Sequence, residues 1–63
     1  MYSRLLRLRH VMERTGLSRS TIYDLIKKEK FPRSIALTER CVGWVEDDVH
    51  DWVVQRLEAA GRA

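Results

Sequence analysis

Three observations predict a mainly α-helical domain with one small β-hairpin. Apolar residues recur at i, i+3, i+4 in three separate stretches, the spacing that puts them on one face of a helix. Over residues 35–44 the apolar period shortens to two, as in paired strands. The run Thr15-Gly16-Leu17-Ser18-Arg19-Ser20-Thr21-Ile22-Tyr23 places a helix end, a turn glycine, a helix cap and a polar helix start in succession, which is the order of a helix-turn-helix.

Leu5, Leu6 and Leu8 lead into a first helix over about residues 9–15, with Leu8, Val11 and Met12 as its apolar face. Gly16 ends it by supplying the positive φ of a sharp turn, Leu17 packs that turn onto the core, and the Ser18 hydroxyl can accept from a free N–H of the next helix. The second helix runs from the Ser18 cap to about Lys28 and buries Ile22, Leu25 and Ile26. Ser20, Asp24 and Lys27 fall opposite that stripe, flanked by Thr21, Tyr23 and Lys28. Pro32 cannot continue a helix and pushes Phe31 toward extended backbone. Ile35 alternates with Leu37 and Val42 with Trp44 around the polar turn Thr38-Glu39-Arg40-Cys41, giving a hairpin, or wing, over about residues 33–44. The final helix begins near Glu46, where Glu46, Asp47 and Asp48 complement the helix dipole, and ends around Ala60-Gly61. Val49, Trp52, Val53 and Leu57 form its apolar stripe, so Trp52, like Trp44 beside Val42, is expected in the core.

A chain of 63 residues has room for one domain, spanning residues 1–63, and a domain of this size buries only about 60% of the surface its unfolded chain exposes. That leaves little space for a catalytic cleft, and no enzyme activity is implied. Cys41 is the only cysteine, so an internal disulfide is excluded, and with His10 and His50 it shows no metal-ligand spacing; neither a cofactor nor a metal is expected. The lone histidines carry no paired carboxylate, and helix-start electrostatics accounts for Glu46, Asp47, Asp48 and Asp51 more simply than a cation site does. No apolar run approaches a membrane span and the N-terminus lacks a signal peptide's apolar stretch, so a cytoplasmic protein is expected. The net charge of +3 divides unevenly: residues 1–40 hold ten Lys/Arg against four Asp/Glu, and residues 41–63 hold two against five. A chain so polarised presents one face to a polyanion and keeps the other away from it.

Four blocks in order, namely residues 15–23, Phe31-Pro32-Arg33, Val42-Gly43-Trp44 and Glu46-Asp47-Asp48-Val49 followed by Trp52, make the sequence similar to the AlpA family of prophage regulatory proteins. These are relatives of phage excisionases and of the DNA-binding domain of MerR-type regulators. The resemblance covers nearly the whole chain. It implies a compact winged helix-turn-helix that puts a recognition helix, here about residues 18–28, in the major groove of double-stranded DNA with the wing beside it. The implied function is transcriptional regulation for a prophage or mobile element. Arg19, Ser20 and Tyr23 match the start of the family's recognition helix, and Arg40 matches the cation of its wing. Family wings often carry glycine where Thr38 stands, and related chains frequently carry a basic residue where Asp24 stands. Glu39 is a further departure, an anion beside the expected phosphate contact.

The expected DNA-contacting residues are therefore Arg19, Ser20, Thr21, Tyr23, Asp24, Lys27, Lys28, Arg33 and Arg40. A cation at a helix N-terminus opposes the dipole, so a phosphate or guanine partner explains Arg19 better than solvent does. The Tyr23 hydroxyl is within reach of a phosphate, the lysines suit backbone contacts without sequence information, and Asp24 could accept from cytosine N4. Two other roles fit the same fold: a recombination directionality factor that bends DNA, and a protein-interaction adaptor without DNA binding, favoured by the acidic Asp24 and Glu39. Leu57 is the last apolar position of the final helix and too little follows it for a coiled coil. The expectation is a monomer that binds adjacent DNA sites cooperatively, with no small-molecule substrate and no membrane partner.

Overall fold

The computed structural model describes residues 4–61. In chain order these form β1 (Leu5–Leu6), α1 (Leu8–Thr15), α2 (Arg19–Lys27), β2 (Ile35–Ala36), β3 (Val42–Val45) and α3 (Glu46–Ala59). The three strands make one antiparallel sheet in the order β1-β3-β2. Leu5 lies opposite Val45 and Leu6 opposite Trp44 on one side of β3, and Ile35 lies opposite Gly43 and Ala36 opposite Val42 on the other.

Strand β1 is the element that apolar spacing did not announce. Two adjacent leucines have no period, and only pairing with β3 makes them a strand. The Glu46 N–H extends that pairing by donating to the Arg4 carbonyl at 2.7 Å, so the first strand also fixes where α3 begins. Strand β2 is shorter than the Ile35/Leu37 alternation suggested, because Leu37 already belongs to the turn: its N–H and that of Thr38 both donate to the Cys41 carbonyl, at 2.8 and 3.1 Å. The Thr38 hydroxyl accepts from the N–H groups of Arg40 and Cys41 at 3.3 and 3.1 Å. A side-chain oxygen thus closes a turn for which the resemblance implied glycine.

Each element sends at least one side chain into the core except β2, which is exposed along its length. Leu6, Val11, Ile22, Phe31, Trp44 and Val49 are buried together, with Leu8, Met12, Leu17, Leu25, Ile26, Val42 and Trp52 packed around them. Gly43 lies where Leu37 folds back over the sheet: a Cβ there would stand 3.0 Å from Leu37 Cδ1 and 3.3 Å from the Leu6 carbonyl oxygen, so its neighbours would have to give by a few tenths of an ångström. The segment between α2 and β2 is pinned by two indoles. Trp52 Nε1 donates to the Lys30 carbonyl at 2.8 Å and Trp44 Nε1 to the Pro32 carbonyl at 3.1 Å. Between these carbonyls Phe31 turns inward and meets the Trp52 ring edge-on, with centroids 4.9 Å apart. Trp44 lies wholly inside, whereas Trp52 sits half-buried at the core's margin. Helices α1 and α3 are tied at the surface by Arg14 and Glu46, 2.7 Å apart. No helix among the described residues is long and apolar enough to cross a membrane.

Candidate nucleic-acid interface

The turn between α1 and α2 is built by local hydrogen bonds that its sequence supplies. Gly16 takes φ +74°, in the left-handed region, and its N–H donates to the Met12 carbonyl at 2.8 Å, closing α1. The Thr15 hydroxyl donates back to the Val11 carbonyl at 2.8 Å and accepts from the Leu17 N–H at 3.2 Å. Ser18, in extended backbone, then caps α2 by accepting from the Thr21 N–H at 3.2 Å. Its hydroxyl also lies 2.9 Å from that of Thr21, so Thr21 is engaged in the cap. The first turn of α2 contains no acidic residue. Its positive dipole end therefore stands uncompensated, with the Arg19 guanidinium added to it.

Helix α2 divides into two faces. Ile22 is buried and Leu25 and Ile26 are half-buried, while Arg19, Ser20, Tyr23, Asp24 and Lys27 are exposed. The Arg19 guanidinium carbon lies 5.7 Å from the centroid of the Tyr23 ring, close enough for a cation–π contact. Tyr23 in turn meets the Trp44 ring at 6.3 Å between centroids and an interplanar angle of 62°. Two of the expected cations already have carboxylate partners. Lys28 Nζ lies 2.9 Å from Asp24 Oδ2, and Arg33 Nη2 lies 3.2 Å from Glu29 Oε1. Among the described residues no carboxylate lies within ion-pair distance of Arg19, Lys27 or Arg40. Arg33 stands at the foot of the hairpin, before β2, and Arg40 in its turn, both exposed.

Glu29 was not singled out by sequence reasoning. It follows α2 with φ +59°, where its own N–H donates to the Ile26 carbonyl at 2.9 Å and the Lys30 N–H donates to the Leu25 carbonyl at 2.8 Å. This is the double hydrogen bond of a Schellman ending, made here with glutamate at the position glycine usually fills. The i, i+4 spacing of Glu29 and Arg33, like that of Asp24 and Lys28, was the signal available in the sequence.

On the other side of α2, an apolar hollow of about 570 Å³ is lined by Leu17, Leu25, Trp52, Val53 and Leu57, and neither Arg19, Ser20, Tyr23 nor Lys27 contributes to it. Among the described residues no three His, Cys, Asp or Glu side chains gather where a metal could be held. The polar face of α2 offers hydroxyls, cations and the Asp24 carboxylate. Such groups bind phosphate and base edges.

Residues 4–57 match the family model described as Prophage CP4-57 regulatory protein (AlpA). The chain is 46% identical over 59 residues to protein ORF88 of Enterobacteria phage P4, an alignment covering 94% of this chain and 65% of that relative. It thus spans just under two thirds of the phage protein's length. It is 37% identical over 61 residues to a protein of Escherichia coli K12 named DNA-binding transcriptional activator AlpA, covering 87% of each.

Proposed function

The chain belongs to the AlpA family of prophage regulatory proteins, and on that premise we propose that it binds double-stranded DNA as a transcriptional regulator of a prophage or other mobile element. In this reading residues 1–63 are one winged helix-turn-helix domain. Residues 18–28 lie in the major groove as the recognition helix, and the hairpin over about residues 33–44 is the wing. The observation that carries it is the polar face of α2: Arg19, Ser20 and Lys27 stand exposed beyond a capped, acid-free helix start while Ile22 anchors the opposite side.

Arg19 has the reach and the forked donors to read guanine O6 and N7, and Ser20 can bond a base edge or a phosphate. Lys27 and Arg40 neutralise phosphates, joined by Lys28 and Arg33 when their carboxylate partners release them. A DNA ligand also places the protein in the cytoplasm. In this reading the free protein is a monomer, and cooperativity comes from neighbouring occupied sites.

The reading is tested by titrating mixed genomic DNA with the protein at two salt concentrations. Retention that falls steeply as salt rises supports it, since each neutralised phosphate adds about −0.9 to the slope of log K against log salt. Absence of salt-dependent retention overturns it and favours the adaptor.

A further inference from the structure

We propose that Tyr23 is a positioning residue: its ring, held by the buried Trp44, sets the direction of the Arg19 guanidinium, and the phenol oxygen is dispensable. The inference rests on the DNA-binding reading above and specifies how one of its contacts is made.

The observations form a chain from the core outward. Trp44 is fully buried, and its Nε1 donates to the Pro32 carbonyl at 3.1 Å, so the indole cannot turn without losing a hydrogen bond. Its ring meets Tyr23 edge-on at 6.3 Å, which fixes the plane of a side chain that is otherwise 39% exposed. Over that ring, 5.7 Å from its centroid, lies the Arg19 guanidinium. Residues 19 and 23 are one helical turn apart, so the stacking needs no distortion of α2. Among the described residues Arg19 has no carboxylate within ion-pair distance, and the aromatic face is the contact that the structure gives it.

An arginine reads guanine through two parallel donors, so its value depends on the plane in which the fork is presented. A free arginine side chain loses rotamer entropy when it binds, and a cation–π contact removes part of that loss beforehand. A tyrosine whose hydroxyl bound phosphate would raise affinity for every sequence equally. One whose ring aims Arg19 raises only the discrimination between sequences.

The two roles separate experimentally. Wild type, Tyr23→Phe, Tyr23→Leu, Arg19→Ala and the double variant Arg19→Ala/Tyr23→Leu are each used to select duplexes from a randomised pool, and each is titrated with mixed genomic DNA. Tyr23→Phe is expected to select the wild-type sequences with unchanged affinity. Tyr23→Leu is expected to lose about fivefold in discrimination at the base position that Arg19→Ala erases, with affinity for mixed DNA unchanged. The double variant should discriminate no worse than Arg19→Ala alone. If Tyr23→Leu fails to fold, pentafluorophenylalanine at position 23 keeps the ring's size and reverses its quadrupole, and it should lose the same discrimination. Equal loss in Tyr23→Phe and Tyr23→Leu, or full discrimination in the leucine or fluorinated variant, overturns the inference while the DNA-binding reading stands. A wild type that retains no duplex overturns both.

Discussion

Replacing Asp24 with asparagine should make DNA binding tighter and more sensitive to salt. Of the four cations proposed to meet phosphates, Lys27 and Arg40 have no carboxylate within ion-pair distance among the described residues, whereas Lys28 is 2.9 Å from Asp24 and Arg33 is 3.2 Å from Glu29. A lysine shared with a carboxylate displaces fewer counterions from DNA than one that is not. Two engaged cations give a slope of log K against log salt of about −1.8, and four give about −3.6. Asn at position 24 removes one anion from the proposed interface and releases Lys28, which should steepen the slope by about 1. The fold should barely respond. Both side chains are more than half exposed, at 59% and 55%, and an exposed i, i+4 pair contributes only about 0.3–0.5 kcal/mol. Fluorescence anisotropy with a labelled mixed-sequence duplex, repeated over a series of salt concentrations, measures the slope directly. An unchanged or shallower slope in a variant that melts like wild type would refute the reasoning, because Lys28 would then lie away from the phosphates.

The two tryptophans should differ in their effect on stability. Trp44→Ala empties the centre of the core at a cost of about 3–5 kcal/mol, comparable to the whole stability of a domain this small, and should abolish cooperative unfolding in a thermal melt. Trp52→Ala, at the margin, removes an indole hydrogen bond and the contact with Phe31, and should cost about 2–3 kcal/mol while leaving a folded protein at low temperature. Backbone conformation predicts opposite signs at two positions measured by urea unfolding: Gly16→Ala should lose about 1 kcal/mol, and Glu29→Gly should gain up to about 1 kcal/mol by relieving a left-handed glutamate. Sedimentation of the free chain at micromolar concentration should return a monomer, and a stable dimer would point instead to a palindromic site read by a two-fold pair.

The helices were legible because each carries its own boundary chemistry. Ser18 caps α2, Gly16 ends α1, and Glu46-Asp47-Asp48 opens α3, and all three depend on residues within a turn of the boundary. The turn of the hairpin was legible for the same reason, although its closing group, the Thr38 hydroxyl, was not foreseen. What could not be read depended on distant partners. Leu5 and Leu6 become a strand only beside Val45 and Trp44, and Arg14 finds Glu46 across 32 residues. At the candidate site, the exposure of Ser20, Asp24 and Lys27 followed from helical geometry alone. The stacking of Arg19 on Tyr23 did not, because it depends on where Trp44 arrives from β3. The Asp24–Lys28 pair had a readable spacing, but Asp24 is read from sequence as a cytosine acceptor or as a mark of an adaptor, not as a partner of Lys28.

The claim that α2 and the hairpin together form a DNA-binding face is tested most directly by following the backbone amide resonances of labelled protein as duplex DNA is added. Salt-sensitive shifts should concentrate in residues 19–28 and in the hairpin around Arg33 and Arg40. The outer surface of α3 around Gln55 and Glu58, at the acidic end of the chain, should stay unperturbed. Shifts gathered on α3 with residues 19–28 silent would contradict the account.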